Sequence, residues 1–358
     1  MRIIILIAAV ILVLILLLTA LVWSITFHPK DRQNEVVHNH PDAPMLQGDQ
    51  TLKVLSWNVQ YMAGKNYEFW YDRLDGSGPD TRPSREDIEA TYREVADVIE
   101  AQNPDIILLQ ELSDGATRTD HEDQLQRLLS MLPPAYNNYT EAFYWQADFV
   151  PLPQIMGSVG MKLAVISKYR IDSAIRHQLA KIKTFPLYDE FNFKRAIQEV
   201  QIPVYGGQPL ILMNTHFDAF AQGSDTMQRQ VAYLQQLLTQ KTAADESWLI
   251  AGDFNLLPPG QYKLLPDDDR NYYQPDSELA TIYSHFAVVP SIDQATGSDA
   301  KQWFTHFPNR REISAPDRTI DYFIHSQKLS DLQGHIVQDN TWHISDHLPM
   351  IAKFTVPQ

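Results

Sequence analysis

From Thr51 onward the chain alternates short, nearly continuous apolar runs with longer segments whose apolar residues recur every three or four positions. The first pattern predicts strands buried on both faces, the second amphipathic helices. LKVLSWNV (52–59) predicts a strand with a polar end. SREDIEATYREVADVIEAQ (84–102) predicts a helix: Ser84 and Asp87 have capping-box spacing, and Ile88, Thr91, Val95, Val98 and Ile99 mark one face. Asn103–Pro104 stops it, and DIILLQEL (105–112) follows as a strand. A second helix is predicted near 121–132, burying Leu125, Leu128, Leu129 and Leu132, and LAVIS (163–167) is a further strand. AIQEVQIPV and PLILMNTH flank Tyr205-Gly206-Gly207-Gln208 as a hairpin. A helix over MQRQVAYLQQLLTQK and strands at SWLIAGDFN (247–255), TIDYFIH (319–325), 333–338 and PMIAKFTV (349–356) complete the pattern. Helices interleaved with hairpins and crossovers predict mixed sheets covered by helices, an α/β fold.

Upstream the pattern changes. IIILIAAVILVLILLLTALVWSITF (3–27) carries no charge and is long enough to cross a hydrocarbon core of about 30 Å. It exceeds the apolar stretch of a signal peptide and lacks a clear small-x-small exit, so it predicts an uncleaved transmembrane anchor after a two-residue tail, residues 1–2. Arg2 and the amino terminus nearly balance Lys30 and Arg32, while so short a tail favours a cytoplasmic N-terminus and an extracytoplasmic catalytic domain. Residues 28–49 are polar, proline-containing and aperiodic, predicting a flexible tether whose His28, His38 and His40 are solvated. Residues 50–358 remain as one domain.

Composition narrows the chemistry. A hydrophobic content of 44% supports a sizeable core. The net charge of −15 argues against broad adhesion to nucleic acid, but not against an enzyme whose metal ions supply positive charge. Cysteine is absent, which excludes disulfides, thiolate zinc sites and cysteine nucleophiles.

The polar residues that end the apolar runs are Asn58, Gln110, Glu111, Asn214 to His216, Asp253, Asn255, Asp321, Asp346 and His347. Singly, strand-end Asp and Asn start turns. Together they are carboxylates, amides and imidazoles placed to share one rim of a sheet. The ordered motifs SWNVQ, DIILLQEL, NTHFDA, AGDFN, TIDYFI and SDHLP, spanning roughly 50–356, resemble the endonuclease/exonuclease/phosphatase superfamily. The resemblance implies a four-layer α/β/β/α sandwich and divalent-metal-dependent phosphoester cleavage. The chemistry agrees: a phosphoester repels nucleophiles until a hard cation neutralises it, and Mg²⁺ prefers carboxylate and amide oxygens. By resemblance Glu111 is the metal ligand, Asn58 contacts metal or phosphate, and Asp253 activates the attacking water. Asn255 holds a phosphate oxygen, Asp321 orients His347, and His347 stabilises developing charge or protonates a departing oxygen. Asp346 suits a metal-side contact, with Mg²⁺ as the expected ion and Mn²⁺ as an alternative.

His216 in NTHFDA resembles the version found in pancreatic-type DNases, neutral sphingomyelinases and several phosphatases, where it shares the acid and charge-stabilising work. Asp218 departs from the sphingomyelinase glutamine, and Lys168 stands where the family usually has arginine. Two aromatic-rich stretches, 67–84 and 141–153, are expected to be inserted loops near the site, with Tyr67, Trp70 and Trp145 exposed to substrate or packed within the loop. His285, His306 and His335 match no motif and are expected to be structural. The expectation is a membrane-anchored phosphodiesterase or phosphatase acting on a lipid headgroup or other envelope phosphoester. The alternatives are a membrane-tethered endonuclease and an inactive sandwich used for binding; the second would lose Glu111, Asp253 or His347, and all three are present.

Overall fold

The computed structural model describes all of residues 1–358 except 66, 70–72, 74, 75, 80, 220, 222, 310–312 and 358, and the side chain of Asp331. Trp70 therefore lies outside the described residues. The longer helices are α1 (Arg2–Ile25), α2 (Arg85–Gln102) and α3 (Gln124–Met131), then the short α4 (Pro186–Asp189) and α5 (Thr226–Ala243). In chain order the strands are β1 (Arg32–Asn34), β2 (Val37–His38), β3 (Thr51–Asn58), β4 (Ile106–Ser113), β5 (Asn138–Val150), β6 (Gly157–Ser167) and β7 (Ser173–Gln178). They continue as β8 (Ala196–Ile202), β9 (Leu210–His216), β10 (Ser247–Asp253), β11 (Ala287–Val289), β12 (Asp321–His325), β13 (Ser330–Ile336) and β14 (Met350–Thr355).

Two mixed seven-stranded sheets result, ordered β1-β7-β8-β9-β10-β12-β11 and β13-β14-β3-β4-β6-β5-β2. Period-two alternation explains why their strands read as unbroken apolar runs. Leu212, Leu249 and Ala251 point inward to meet Val54, Leu108 and Ala352 of the other sheet. Their neighbours Met213, Trp248 and Ile250 point outward onto Val231, Leu234 and Leu238 of α5. On the far side Leu55 and Trp57 meet Tyr92, Val95 and Ile99 of α2 and Leu125 and Leu128 of α3. The four-layer sandwich expected from the motifs is the observed fold. The predicted helix at 84–102 forms as α2, with the Ser84 hydroxyl accepting from Asp87 N at 3.1 Å.

Two expectations are corrected. Residues 28–49 are no free tether: β1 pairs with β7, β2 pairs with β5, and Leu46 is fully buried between the sheets. Such short edge pairings leave no periodic signature in a polar sequence. The stretch 141–153 is no loop for most of its length, since residues through Val150 belong to β5. Irregularities between Phe143 and Trp145 and between Ala147 and Val150 break the alternation that would have marked the strand.

α1 has a mean hydropathy of 3.5 and is long and apolar enough to cross a membrane, which is a statement of length and composition. Its last turns touch the domain: Val22 and Ile25 pack beside Tyr144, Trp145 and Ala147, and Thr26 forms a β-bridge with Ala147.

If Leu46 locks the N-terminal segment into the core, Leu46→Ala should destabilise the full chain by about 2–5 kcal/mol, read from urea unfolding. A change within measurement error would return 28–49 to the status of a tether.

Candidate active site

Register brings the strand-end groups together. Asp253 at the end of β10 is paired with His216 on β9 and with Asp321 on β12, while Asn58 on β3 lies opposite Gln110 on β4. Close approach here depends on Gly252, whose φ is +142° and where a Cβ would stand 2.0 Å from the Thr215 carbonyl oxygen. Beneath the rim, Gln110 Nε2 donates to Asn214 Oδ1 across the sheets at 2.7 Å. Asn214 Nδ2 in turn donates to the Leu109 and Ala164 carbonyls, so these two amides tie the layers together.

Glu111 sits where the β4–β6 register shifts, with φ +61°, a local kink that re-aims the side chain. Asn58 Nδ2 donates to Glu111 Oε1 at 3.0 Å and to Asp253 Oδ2 at 3.1 Å. The Asn58 oxygen accepts from Gln60 N at 3.0 Å. A backbone N–H requires an acceptor, so this bond fixes the amide's orientation. Asn58 thus presents donors to both carboxylates while its oxygen is held by the Gln60 amide.

His347 Nδ1 lies 2.9 Å from Asp321 Oδ2, and its Nε2 lies 3.5 Å from Asp253 Oδ2. Burial alone would lower this imidazole, but the Asp321 and Asp253 carboxylates outweigh burial and hold it well above its usual range. His216 behaves oppositely: burial, then the charges of Arg195 and His347, keep it well below that range and neutral. Its Nε2 is 3.3 Å from Asp253 Oδ2. A proton there leaves Nδ1 to accept from the Tyr144 hydroxyl at 3.4 Å. Burial pushes the Asp253 carboxyl up to about 7, against the opposing charge of His347. Asn255 N donates to Asp253 Oδ1 at 2.9 Å, and the Asn255 amide donates to Phe217 O at 3.1 Å.

Asp346 accepts from Asn309 Nδ2 at 3.1 Å, and its carboxylate comes within 4.8 Å of a His347 ring nitrogen. Desolvation raises both Asp346 and Glu111, and the Asp346 charge raises Glu111 further. Glu111, Asp253, Asn255, Asp346, His216 and His347 all line one cavity of about 110 Å³; Asn58 and Asp321 hold these groups from outside its lining. Carboxylates desolvated beside one another suit a hard divalent cation, which relieves the repulsion that raises them. Among the described residues, the ligand atoms of Asp253–Asp321–His347 and of His306–Asp346–His347 each lie within 4.8 Å of one another. The first is committed to internal hydrogen bonding, and of the other acids in the lining Glu68 is paired with Arg73, which leaves Glu111 and Asp346 as the candidates to hold a cation.

Several cavity residues escaped the sequence reading. Arg195 is buried, its guanidinium 4.3 Å from the Phe193 ring centroid and Nε 3.4 Å from Asp218. Asp218 is therefore the counter-ion of a cavity arginine, and burial lifts its carboxyl to about 6. His306, expected to be structural, lines the cavity with its ring 4.4 Å from that of His347. Its Nδ1 has no hydrogen-bond partner among the described residues, and burial keeps it neutral. His335 and His285 lie elsewhere, on β13 and on a short helix, in keeping with structural roles.

Residues 55–347 match the family model described as Endonuclease/Exonuclease/phosphatase family. No curated protein matches the chain in sequence. Among solved structures the chain is similar to an endonuclease/exonuclease/phosphatase from Beutenbergia cavernae DSM 12333, at 19% identity and TM-score 0.58, covering 86% of this chain and 72% of that one. It is also similar to the human Nocturnin catalytic domain with bound sulfate anion, at 16% identity and TM-score 0.52, covering 90% and 96%. Caenorhabditis elegans TDP2 gives 16% identity and TM-score 0.52, covering 87% and 76%. At these identities the likeness is one of fold.

The His347–Asp321 pair makes a pH-dependent prediction. A folded-state pKa above the unfolded value means the pair's stabilisation is complete below about pH 6.5 and is lost as pH rises through the raised value. In metal-free protein, Asp321→Asn should move the His347 titration, followed by NMR, down toward the ordinary imidazole range. An unmoved titration would contradict the pairing.

Proposed function

Because the chain belongs to the endonuclease/exonuclease/phosphatase family, we propose that it is a divalent-metal-dependent phosphoester hydrolase, held at a membrane by α1 and acting on a lipid headgroup or other envelope phosphoester. In this reading residues 3–27 are the anchor and the rest of the chain is the catalytic domain, on the extracytoplasmic side. One observation carries the proposal: a rim of acids and imidazoles, two of differing charge state, lines a cavity whose wall cluster also receives the end of an apolar helix. Anchoring raises the effective concentration of a membrane substrate.

Glu111 and Asp346 are the residues to hold the cation, Mg²⁺ or Mn²⁺, which when bound would neutralise phosphoryl oxygens. Asp253 accepts the proton of the attacking water, a task suited to a carboxyl whose pKa is raised toward neutrality. Water's oxygen bonds to phosphorus as the bond to the departing alkoxide breaks. In-line displacement puts the departing oxygen opposite the water. His347 Nε2 lies 3.5 Å from the carboxylate proposed as the base, and so close to the attacking water. That placement favours charge stabilisation at a phosphoryl oxygen over protonation of the leaving group, the first of the two roles expected for it. His216, neutral, orients Asp253, and Asn255 holds a phosphoryl oxygen.

A nuclease is the second reading, favoured by the buried guanidiniums of Arg195 and Arg318 in the cavity lining. Purified full chain in detergent, given Mg²⁺ or Mn²⁺ with phospholipid vesicles, supercoiled plasmid or a chromogenic phosphodiester, separates the two. Lipid or diester turnover without fast nicking is expected; the reverse selects the nuclease. His347→Ala should lower turnover about 10²–10⁴-fold with circular dichroism unchanged. Undiminished turnover in that variant would remove His347 from the mechanism. Glu111→Gln should raise the half-saturating metal concentration at least about tenfold, and an unshifted metal titration would argue against Glu111 as ligand.

A further inference from the structure

Beside the catalytic cavity, and sharing Tyr61, Phe69 and Met161 with it, lies a second cavity of about 230 Å³. Trp145, Ile155 and Val159 add an apolar wall on one side, while Arg82, Ser113, Thr117, Gln154 and Ser158 line it with polar groups. Arg118 also lines it, but spreads its guanidinium 4.4 Å from the Phe69 ring centroid. Nothing in the assigned chemistry uses this space.

Its position relative to α1 identifies an occupant. Trp145 and Val159 belong to the same apolar cluster as Val22 and Ile25 at the base of that helix. Four exposed apolar side chains stand next to members of that cluster along the chain and make up the collar of the proposal: Phe149 at the end of β5, Met156 in the β5–β6 connection, and Phe185 and Tyr188 in the α4 segment. Leu187 packs into the shared cluster, and Glu190 lies 3.5 Å from His28, just beyond α1. Met156 is 59% exposed, while the adjacent Ile155 lines the second cavity. An exposed apolar residue and a cavity-lining one are therefore consecutive in the chain. Exposed apolar and aromatic side chains on segments packed beside a membrane-length helix suit a bilayer interface.

We propose that the second cavity holds the alkyl portion of the substrate, a phosphodiester lipid drawn from the bilayer through the collar, with its phosphoryl group over Asp253 and His347. This rests on the phosphoester-hydrolase reading of the main cavity. The reaction is unchanged: water adds to phosphorus, one ester P–O bond breaks, and the alkyl-bearing product is released into the bilayer.

The test uses the full chain in detergent with p-nitrophenyl alkyl phosphodiesters from methyl to hexyl, in which p-nitrophenolate leaves and the alkyl phosphate remains. kcat/KM should rise about fourfold per methylene over the first carbons. Ile155→Trp, which fills the cavity, should flatten that dependence. A hexyl diester carrying a terminal diazirine should label peptides within 145–161 on illumination. If the series is cleaved at rates independent of chain length, the alkyl site is wrong while the hydrolase reading stands. If no member is cleaved under any divalent metal, the hydrolase reading fails first. A p-nitrophenyl ester of thymidine monophosphate cleaved faster than the hexyl diester would assign the cavity to a base and overturn the proposal. Should Ile155→Trp not fold, the chain-length series and the labelling on the unaltered protein still decide.

Discussion

A carboxylate taken out of water is tolerated only when donors replace its hydration, and the site depends on Asn58 for this. One amide group donates to Glu111 on its own sheet and to Asp253 on the facing one. With its oxygen held by the Gln60 amide, it cannot flip to present an acceptor to either acid without losing that bond. The sandwich is closed at this end by a hydrogen-bonded bridge between layers, continued below by Gln110 and Asn214. Much of the remaining contact between the layers is made by apolar side chains.

Around that bridge, one type of side chain is used in two charge states. His347 faces Asp321 and Asp253 and keeps its proton, whereas His216 faces Arg195 and His347 and does without one. Both sit on Asp253 Oδ2, so the acid is flanked by a charged and a neutral partner at 3.5 and 3.3 Å. Pairs of like groups pushed apart in pKa are how a site divides proton-transfer tasks. The Asp218–Arg195 pair is part of this division, because it sets the positive field that His216 feels.

How much of this was legible in the chain follows from what makes a local signal. Strands buried on both faces give unbroken apolar runs, so their ends were visible, and the polar residues found there are those that β-register brings together. Glu111 was found by position, but its aim comes from an irregular pairing that no residue type announces. β5 hid because its irregularities disrupt alternation, and Tyr144 was lost with it. Arg195 stood directly before an apolar run, at the start rather than the end of a strand, and so escaped a search of strand ends. His306 gave no signal at all, since its place is set by a bridge to His347 far along the chain. The segment 28–49 lacks periodicity because it serves as an edge to both sheets for only a few residues each.

The bridge between Thr26 and Ala147 has a consequence for reach. A domain hung on a slack linker can swing through a hemisphere and sample a neighbouring bilayer or soluble molecules well away from its own. Here the polypeptide leaves the helix and is stitched into the second sheet's edge almost at once. If α1 spans a membrane, as proposed, that bridge leaves the domain no slack linker on which to swing.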